Sequence, residues 1–106
     1  MNSELLRGNL ELMVLSILRD GPAHGYAVIK ELRTRSAGSF KLPEGTVYPA
    51  LYRLERAGLV VGRDDEDGQR KRRVYRISRR GLGALSDKRE QWEAFAHSVR
   101  LVLGEA

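Results

Sequence analysis

The spacing of the apolar residues changes from a helical to an alternating period near Leu59, and this change limits the possible folds more than any other feature of the chain. Before Leu59, apolar residues recur about every 3.6 residues in three stretches, which predicts helices at 5–18, 24–35 and 43–57. Gly, Pro and Ser lie between these stretches, as is usual where helices end. The predicted inward-facing residues are Leu6, Leu10, Val14, Ile17 and Leu18 in the first helix, Tyr26, Ile29 and Leu32 in the second, and Val47, Leu51 and Leu54 in the third.

After Leu59 the chain alternates apolar and polar residues through 59–64 and 73–77, with an acidic turn predicted at 65–68, which is the pattern of a β-hairpin. A long helix is predicted at 79–103, because Ser78 is a suitable N-cap. Three helices followed by a two-stranded hairpin is the element order of a winged helix-turn-helix. The predicted fold is therefore mainly α with a β-hairpin, in one compact unit: a winged helix-turn-helix over 1–78 and a C-terminal dimerisation helix over 79–106.

The formal charge of +5 is concentrated in the second strand of the predicted hairpin. Residues 70–80 hold 7 of the 19 Lys and Arg residues and no Asp or Glu, whereas the rest of the chain holds 12 basic and 14 acidic residues. A basic stretch on the wing of such a fold predicts contact with a polyanion, with the acidic turn lying away from it. The alternative is a solvated edge strand whose cations prevent aggregation.

Several classes of protein are disfavoured by what the sequence lacks. It has no Cys, so disulfides, thiolate nucleophiles and Cys-based zinc sites are excluded. Its two histidines, His24 and His97, do not support a catalytic triad, and we predict neither an enzyme nor a cofactor. Glu93 and His97 are one helical turn apart and could supply two metal ligands, but no metal site is predicted from them alone. The longest apolar run, 12–15, is too short to cross a membrane, and no signal peptide is evident, so a cytoplasmic protein is expected.

Several segments match the motifs of one known family. They are Gly8, Leu12, the run 15–18, GPAHGY at 21–26, GTVYPALYRLERAGL at 45–59, RRVYRIS at 72–78, and Gly81. Through them the chain resembles the PadR-type transcriptional regulators over nearly its whole length. The resemblance implies a homodimeric winged helix-turn-helix repressor whose last helix makes the dimer, from the small subclass without an extended C-terminal domain. The acidic run 64–67 departs from the family pattern, which often has Gly or Pro near this turn.

The outward face of the third helix holds the residues that we expect to read DNA. With Val47, Leu51 and Leu54 inward, two tyrosines point outward or sideways, where their hydroxyls suit phosphates and their rings suit thymine methyl groups. The alternative is that these rings pack against the first helix or the wing. Tyr75 and Ile77 are interpreted as wing core. The predicted DNA-binding residues are Gly45, Thr46, Tyr48, Pro49, Tyr52 and Arg53 on the helix, and Arg70, Lys71, Arg72 and Arg73 on the wing, of which about half can face one duplex because strand residues alternate sides.

The last predicted helix carries a seam with the heptad steps of three and four residues that is typical of helices that pair. Its members are Leu82, Leu85, Arg89, Trp92, Ala96, Val99 and Leu103. We expect this seam to form a homodimer. Arg89 and Trp92 could line a mixed polar and aromatic site for a small planar effector, and the alternative for Trp92 is plain dimer core.

Together these features predict a sequence-specific transcriptional regulator that binds palindromic double-stranded operator DNA as a homodimer. A repressor released by a small aromatic effector or a metal ion is the favoured form. The alternatives are a winged-helix module for protein–protein contact and a basic RNA-binding protein.

Overall fold

The computed structural model describes the backbone of residues 3–67 and 70–105 and the side chains of residues 4–65 and 72–105. Within these ranges the chain forms α1 (Ser3–Arg19), β1 (Ala23–His24), α2 (Gly25–Arg35), α3 (Glu44–Arg56), β2 (Val60–Asp67), β3 (Arg70–Ile77) and α4 (Arg79–Val102). Three helices are followed by a hairpin and a long helix, so the predicted fold class is confirmed.

The three strands form one antiparallel sheet in the order β1-β3-β2. The first strand is two residues long, and it pairs Ala23 with Tyr75 and His24 with Val74. The sequence pattern did not predict this strand, because two residues are too few to show an alternating period. Its pairing brings the start of α2 against the base of the hairpin.

The hairpin of β2 and β3, which we call the wing, is longer than predicted. Asp64 lies opposite Arg73 and Asp65 opposite Arg72, and the pairing continues to the pair of residues 67 and 70. The turn predicted at 65–68 is therefore wrong in position, and only residues 68 and 69, which lie outside the described part of the chain, separate the strands. Across this ladder Arg73 donates to the Asp64 carboxylate, and opposite charges directly across an antiparallel pair stabilise it. The acidic residues do not lie apart from the basic strand, as the sequence predicted, but opposite it.

The core lies between the first three helices, the start of α4 and the base of the sheet. The largest wholly buried side chains are Leu15, Leu18, Leu51, Leu54, Val14, Val28, Val47 and Val60. The predicted inward faces of α1 and α3 are confirmed except at Leu6, which is half-buried, and α1 also buries Leu15, which was not predicted to face inward. In α2 the prediction is wrong for Tyr26, which is 61% exposed with Lys30 over its ring, because the buried stripe of this helix runs through Val28 and Leu32.

The start of α4 is held by Ser78, as predicted. The Ser78 side-chain oxygen accepts a hydrogen bond from the Gly81 N–H at 3.0 Å, and its hydroxyl donates to the Gly58 carbonyl at 2.7 Å. Gly81 is buried against the Leu59 carbonyl, and a Cβ at this position would collide with that carbonyl oxygen. These contacts join the end of α3 to the start of α4, whose later turns are mostly exposed.

Candidate nucleic-acid interface

Helix α3 exposes a continuous face opposite its buried side. Val47, Ala50, Leu51 and Leu54 are buried, so their hydrophobic packing fixes the rotation of the helix about its axis. On the outer side Gly45, Tyr48, Pro49, Tyr52, Arg53 and Arg56 are exposed, and Thr46 is half-buried. This orientation matches the predicted one, while the contact of these residues with DNA stays a prediction.

The two tyrosines of α3 have different surroundings. The Tyr48 ring lies on Gly25 at the start of α2, so closely that a Cβ at Gly25 would overlap the ring. Tyr52 is 59% exposed, and its neighbour is Arg56, whose guanidinium donates to the Tyr52 hydroxyl at 3.4 Å and lies 5.7 Å from the ring centroid. Tyr48 therefore packs on the start of α2 and lines the same cleft as Arg72 and Arg73 of the wing.

A cationic cleft of about 550 Å³ lies between the start of α2, Tyr48 of α3 and the wing. It is lined by His24, Gly25, Tyr26, Ala27, Tyr48, Arg72 and Arg73. Helix α2 begins in this cleft, and the free N–H groups and dipole of a helix start favour an anion. Arg72 is exposed and forms no ion pair with the described side chains, because the carboxylate of Asp65 across the ladder lies 3.6 Å from His24 Nε2 instead. The geometry suits a phosphate group of a nucleic acid.

Arg73 is engaged differently from Arg72. Its guanidinium donates from Nη2 to the Glu55 carboxylate of α3 and from Nη1 to the Asp64 carboxylate of β2, the latter at 3.0 Å. The hydrogen bonds that Arg73 donates to Glu55 and Asp64 raise its pKa above the ordinary value, because they stabilise the charged form. Sequence reasoning missed these partners, since Glu55 lies 18 residues away along the chain.

The remaining wing residues divide into core and surface. Tyr75 is buried, as predicted, and its burial raises the pKa of the hydroxyl. Ile77 packs against the hydrophobic core in a half-buried position. Arg70 and Lys71 lie in β3, but their side chains are outside the described part of the structure.

The seam predicted on α4 divides into two parts. Leu85 is only 2% exposed and belongs to the core of the single chain, which corrects its prediction as a dimer contact. The first turns of α4 pack on α1, and this packing covers Leu85. The other seam residues, Leu82, Arg89, Trp92, Val99 and Leu103, are exposed, and Ala96 is half-buried.

Trp92 faces α1 across an apolar cleft of about 350 Å³. The cleft is lined by Leu5, Leu6, Asn9, Leu12, Met13, Phe40 and Trp92. Arg89 lines a separate cleft with Arg19 and Glu93 on another side of α4. Arg89 and Trp92 therefore line different clefts of the single chain, and a joint lining at a dimer seam stays a prediction.

The exposed apolar surface around Trp92 includes residues that do not belong to the predicted seam. Phe95 is 61% exposed one turn after Trp92, and Leu5 is 59% exposed on α1. Phe95 lies three residues after Trp92, so helical spacing places the two side chains near each other. It was not predicted because it falls outside the heptad positions of the seam.

Glu93 and His97 are exposed, and the described residues contain no group of three or more potential metal ligands. In the same residues, no helix combines the length and the apolar character that crossing a membrane requires.

Known proteins share both the sequence and the fold of this chain. The transcriptional regulator PadR-like family model matches residues 14–87. A transcriptional regulator of Mycobacterium tuberculosis is 35% identical over 96 residues, which cover 91% of this chain and 87% of that protein.

Two solved structures extend this likeness to the fold. A PadR family transcriptional regulator from Eggerthella lenta is 37% identical with a TM-score of 0.85, over 94% of this chain and 86% of that one. A transcriptional regulator from Clostridium thermocellum is 29% identical with a TM-score of 0.87, over 92% and 95%. The predicted resemblance is confirmed: the chain belongs to the transcriptional regulator PadR-like family, whose members regulate transcription by binding DNA and are not enzymes.

Proposed function

We propose that this regulator is a cytoplasmic homodimeric repressor that binds a palindromic DNA operator and is released by a small effector. The observation that carries the proposal is the exposed face of α3 beside the cationic cleft at the wing. In a winged helix-turn-helix, a helix in this position enters the major groove while the wing contacts the flanking backbone. A chain that binds genomic DNA would act where that DNA lies, which supports the proposed cytoplasmic location.

The two sides of the interface would have different tasks. Hydroxyls at Thr46, Tyr48 and Tyr52, together with Arg53, would contact base edges and nearby phosphates from α3. On the wing, Arg72 and the cation two residues before it, at 70, would bind phosphates, because alternate residues of a strand share a face. The start of α2 adds a site for a further phosphate at the floor of the cleft.

A second copy of the chain is the proposed partner of α1 and α4. Trp92, Phe95 and Val99 on α4 and Leu5 on α1 expose apolar area that a lone chain leaves in contact with water. Leu103 extends this area to the C-terminal end of α4. A two-fold axis through it would place two α3 helices on half-sites about one helical turn, or a multiple of it, apart.

The apolar cleft beside Trp92 is the proposed place for the effector. Its volume of about 350 Å³ and its almost wholly apolar lining suit a flat aromatic molecule, and they favour such a ligand over a metal ion. The cleft adjoins the proposed dimer surface, so a ligand there could change the separation of the two α3 helices. It would release DNA only if it bound the DNA-incompetent separation more tightly, and a coupling of about 1–3 kcal/mol would weaken operator binding about 5- to 150-fold.

The test measures binding of the full chain to inverted repeats from the DNA next to its own gene. We expect protection of two half-sites, a steep loss of affinity with salt, and weaker binding to a random duplex of equal length. A hairpin RNA is the control for an RNA-binding protein. Equal affinity for operator, random DNA and RNA, or no binding to any of them, would contradict the proposal.

The effector part of the proposal has its own measurement. Planar aromatic compounds are titrated against the fluorescence of Trp92, the single tryptophan, and against operator affinity in parallel. Compounds that release DNA should change the emission, and Trp92→Leu should weaken their effect. Release that leaves the emission unchanged would place the effector elsewhere.

A further inference from the structure

Arg73 joins three elements of the wing region at one point. Its backbone belongs to β3, while its guanidinium is hydrogen-bonded to Glu55 on α3 and to Asp64 on β2. The side chains are 40%, 28% and 71% exposed, so the joint lies at the surface, beside the helix that faces DNA. A planar guanidinium can bond two carboxylates in fixed directions at once, which an ammonium group cannot do in the same way.

Gly62 makes room for this arrangement. A Cβ at Gly62 would lie 2.7 Å from Arg73 Nε and 3.0 Å from Glu55 Oε1. The guanidinium and the carboxylate therefore lie against the backbone of β2 where any other residue would displace them. Gly62, Glu55 and Arg73 therefore form one structural unit, in which the missing side chain of Gly62 leaves room for the ion pair between Glu55 and Arg73.

The wing needs such an attachment because it has little core of its own. Val60 and Tyr75 anchor its base, but beyond them the strands carry mainly charged residues, and an isolated two-stranded hairpin is only marginally stable in water. For Arg73 to bind a phosphate instead, it would have to leave two carboxylates. Those carboxylates would then face the DNA unpaired and repel it.

We propose that Arg73 is a positioning residue that fixes the wing against α3 through Glu55 and Asp64, and that it does not itself bind a DNA phosphate. The proposal rests on the proposed function for its DNA readout and replaces the sequence-based assignment of Arg73 as a DNA contact. Arg72, its neighbour on the opposite face of β3, keeps the role of a phosphate contact.

Whether Glu55→Gln raises or lowers the affinity for DNA distinguishes the two possible roles of Arg73. Glu55→Gln removes a negative charge near the DNA and frees Arg73, so it would raise affinity if Arg73 were a phosphate contact. If Arg73 positions the wing, Glu55→Gln lowers affinity roughly 3- to 10-fold for the dimer, because each head loses an ion pair. Glu44→Gln is the matched control, since it also removes one carboxylate from α3 and Glu44 is exposed in the first turn. It should leave affinity unchanged or raise it.

Three further variants test the contact of Arg73 with Glu55 and Asp64 without depending on the direction of the affinity change in Glu55→Gln. Arg73→Lys keeps the charge but cannot bridge both carboxylates, and we expect it to lose as much affinity as Arg73→Gln. Gly62→Ala keeps every charge and shifts the guanidinium, so we expect a loss that is measurable but no larger than that of Arg73→Gln. The double variant Glu55→Gln/Arg73→Gln should be no worse than Arg73→Gln alone, since both changes remove one interaction.

The salt dependence and an experiment without DNA complete the test. Arg72→Gln should reduce the salt slope by about 0.9 per head, while Arg73→Gln should leave it unchanged. Amide exchange in β2 and β3 of the free protein should become faster with Arg73→Gln and Glu55→Gln but not with Arg72→Gln. A rise in affinity with Glu55→Gln, or a reduced slope with Arg73→Gln, would overturn the proposal. A wild-type chain that binds no DNA would instead contradict the proposed function, and unchanged exchange would overturn the positioning role by itself.

Discussion

Tyr48 and Tyr52 lie one helical turn apart on α3, and the structure restricts them to different degrees. The Tyr48 ring rests on Gly25, which leaves no space for movement toward α2, whereas Tyr52 contacts mainly Arg56 and solvent. A side chain that is already held in place loses less conformational entropy when it binds. Tyr48 is therefore better prepared than Tyr52 for a contact that depends on position, such as a hydrogen bond to one base edge.

We predict that hydroxyls on α3 and guanidinium groups on the wing affect DNA binding in different ways. Thr46→Ala and Tyr48→Phe should weaken binding to the operator by about 1–2 kcal/mol and change binding to random DNA much less, because a base edge is matched only in the operator. Arg72→Ala should weaken binding to both DNAs alike, since phosphates are present in every sequence. Fluorescence anisotropy with both duplexes measures the two losses.

Arg33→Ala is the control for these measurements, because Arg33 is an exposed cation at the opposite end of α2 from the cleft. Its effect on either DNA should be small. If Thr46→Ala, Tyr48→Phe and Arg72→Ala all lowered affinity for the two DNAs by equal factors, this division between α3 and the wing would be wrong.

Among the secondary-structure elements, those defined by local spacing were predictable from the sequence, and those defined by pairing were not. The period of Val47, Leu51 and Leu54 was enough to orient α3, because a helix places residues by their separation along the chain. The extent of the wing depends on the register of β2 and β3, and one partner of Arg73, Glu55, comes from α3. The burial of Leu85 follows from the packing of α4 on α1, which the heptad pattern alone does not contain.

The junction between the wing and α4 gives a prediction on stability with a matched control. Gly81→Ala should lower the free energy of unfolding by about 1–3 kcal/mol, because the added Cβ would overlap the Leu59 carbonyl oxygen and displace the helix start. Gly83→Ala, two residues later in α4, meets no atom within 4 Å. It should raise the free energy of unfolding by about 0.5–1 kcal/mol through helix propensity. Urea unfolding of both variants measures the difference, and a loss of stability in both would show that α4 tolerates no change here.

The dimensions of the whole molecule, 55 × 29 × 20 Å, show how far it departs from a sphere. The buried side chains lie in the helix-turn-helix, the base of the wing and the first turns of α4, and the last turns of α4 are exposed on all sides. In a single chain, the last turns of α4 therefore lack the tertiary packing that normally stabilises helices. The proposed second copy of the chain would cover the exposed apolar residues of both α4 and α1.

The dimer can be tested with one charge placed in this surface. Phe95→Glu should convert a dimer into a monomer at micromolar concentration in sedimentation experiments, because a two-fold interface would bury two unpaired carboxylates. Tyr26→Glu is the control, since Tyr26 is an aromatic residue with the same 61% exposure that lies outside this surface, and it should leave the sedimentation coefficient that of a dimer. The Phe95→Glu monomer should also bind the operator far more weakly, because two linked heads share a single loss of translational freedom while separate heads each incur it. A wild-type chain that sediments as a monomer at these concentrations would contradict the prediction, because there would be no interface. A Phe95→Glu variant that remains a dimer would also contradict it, because Phe95 would then lie outside the interface.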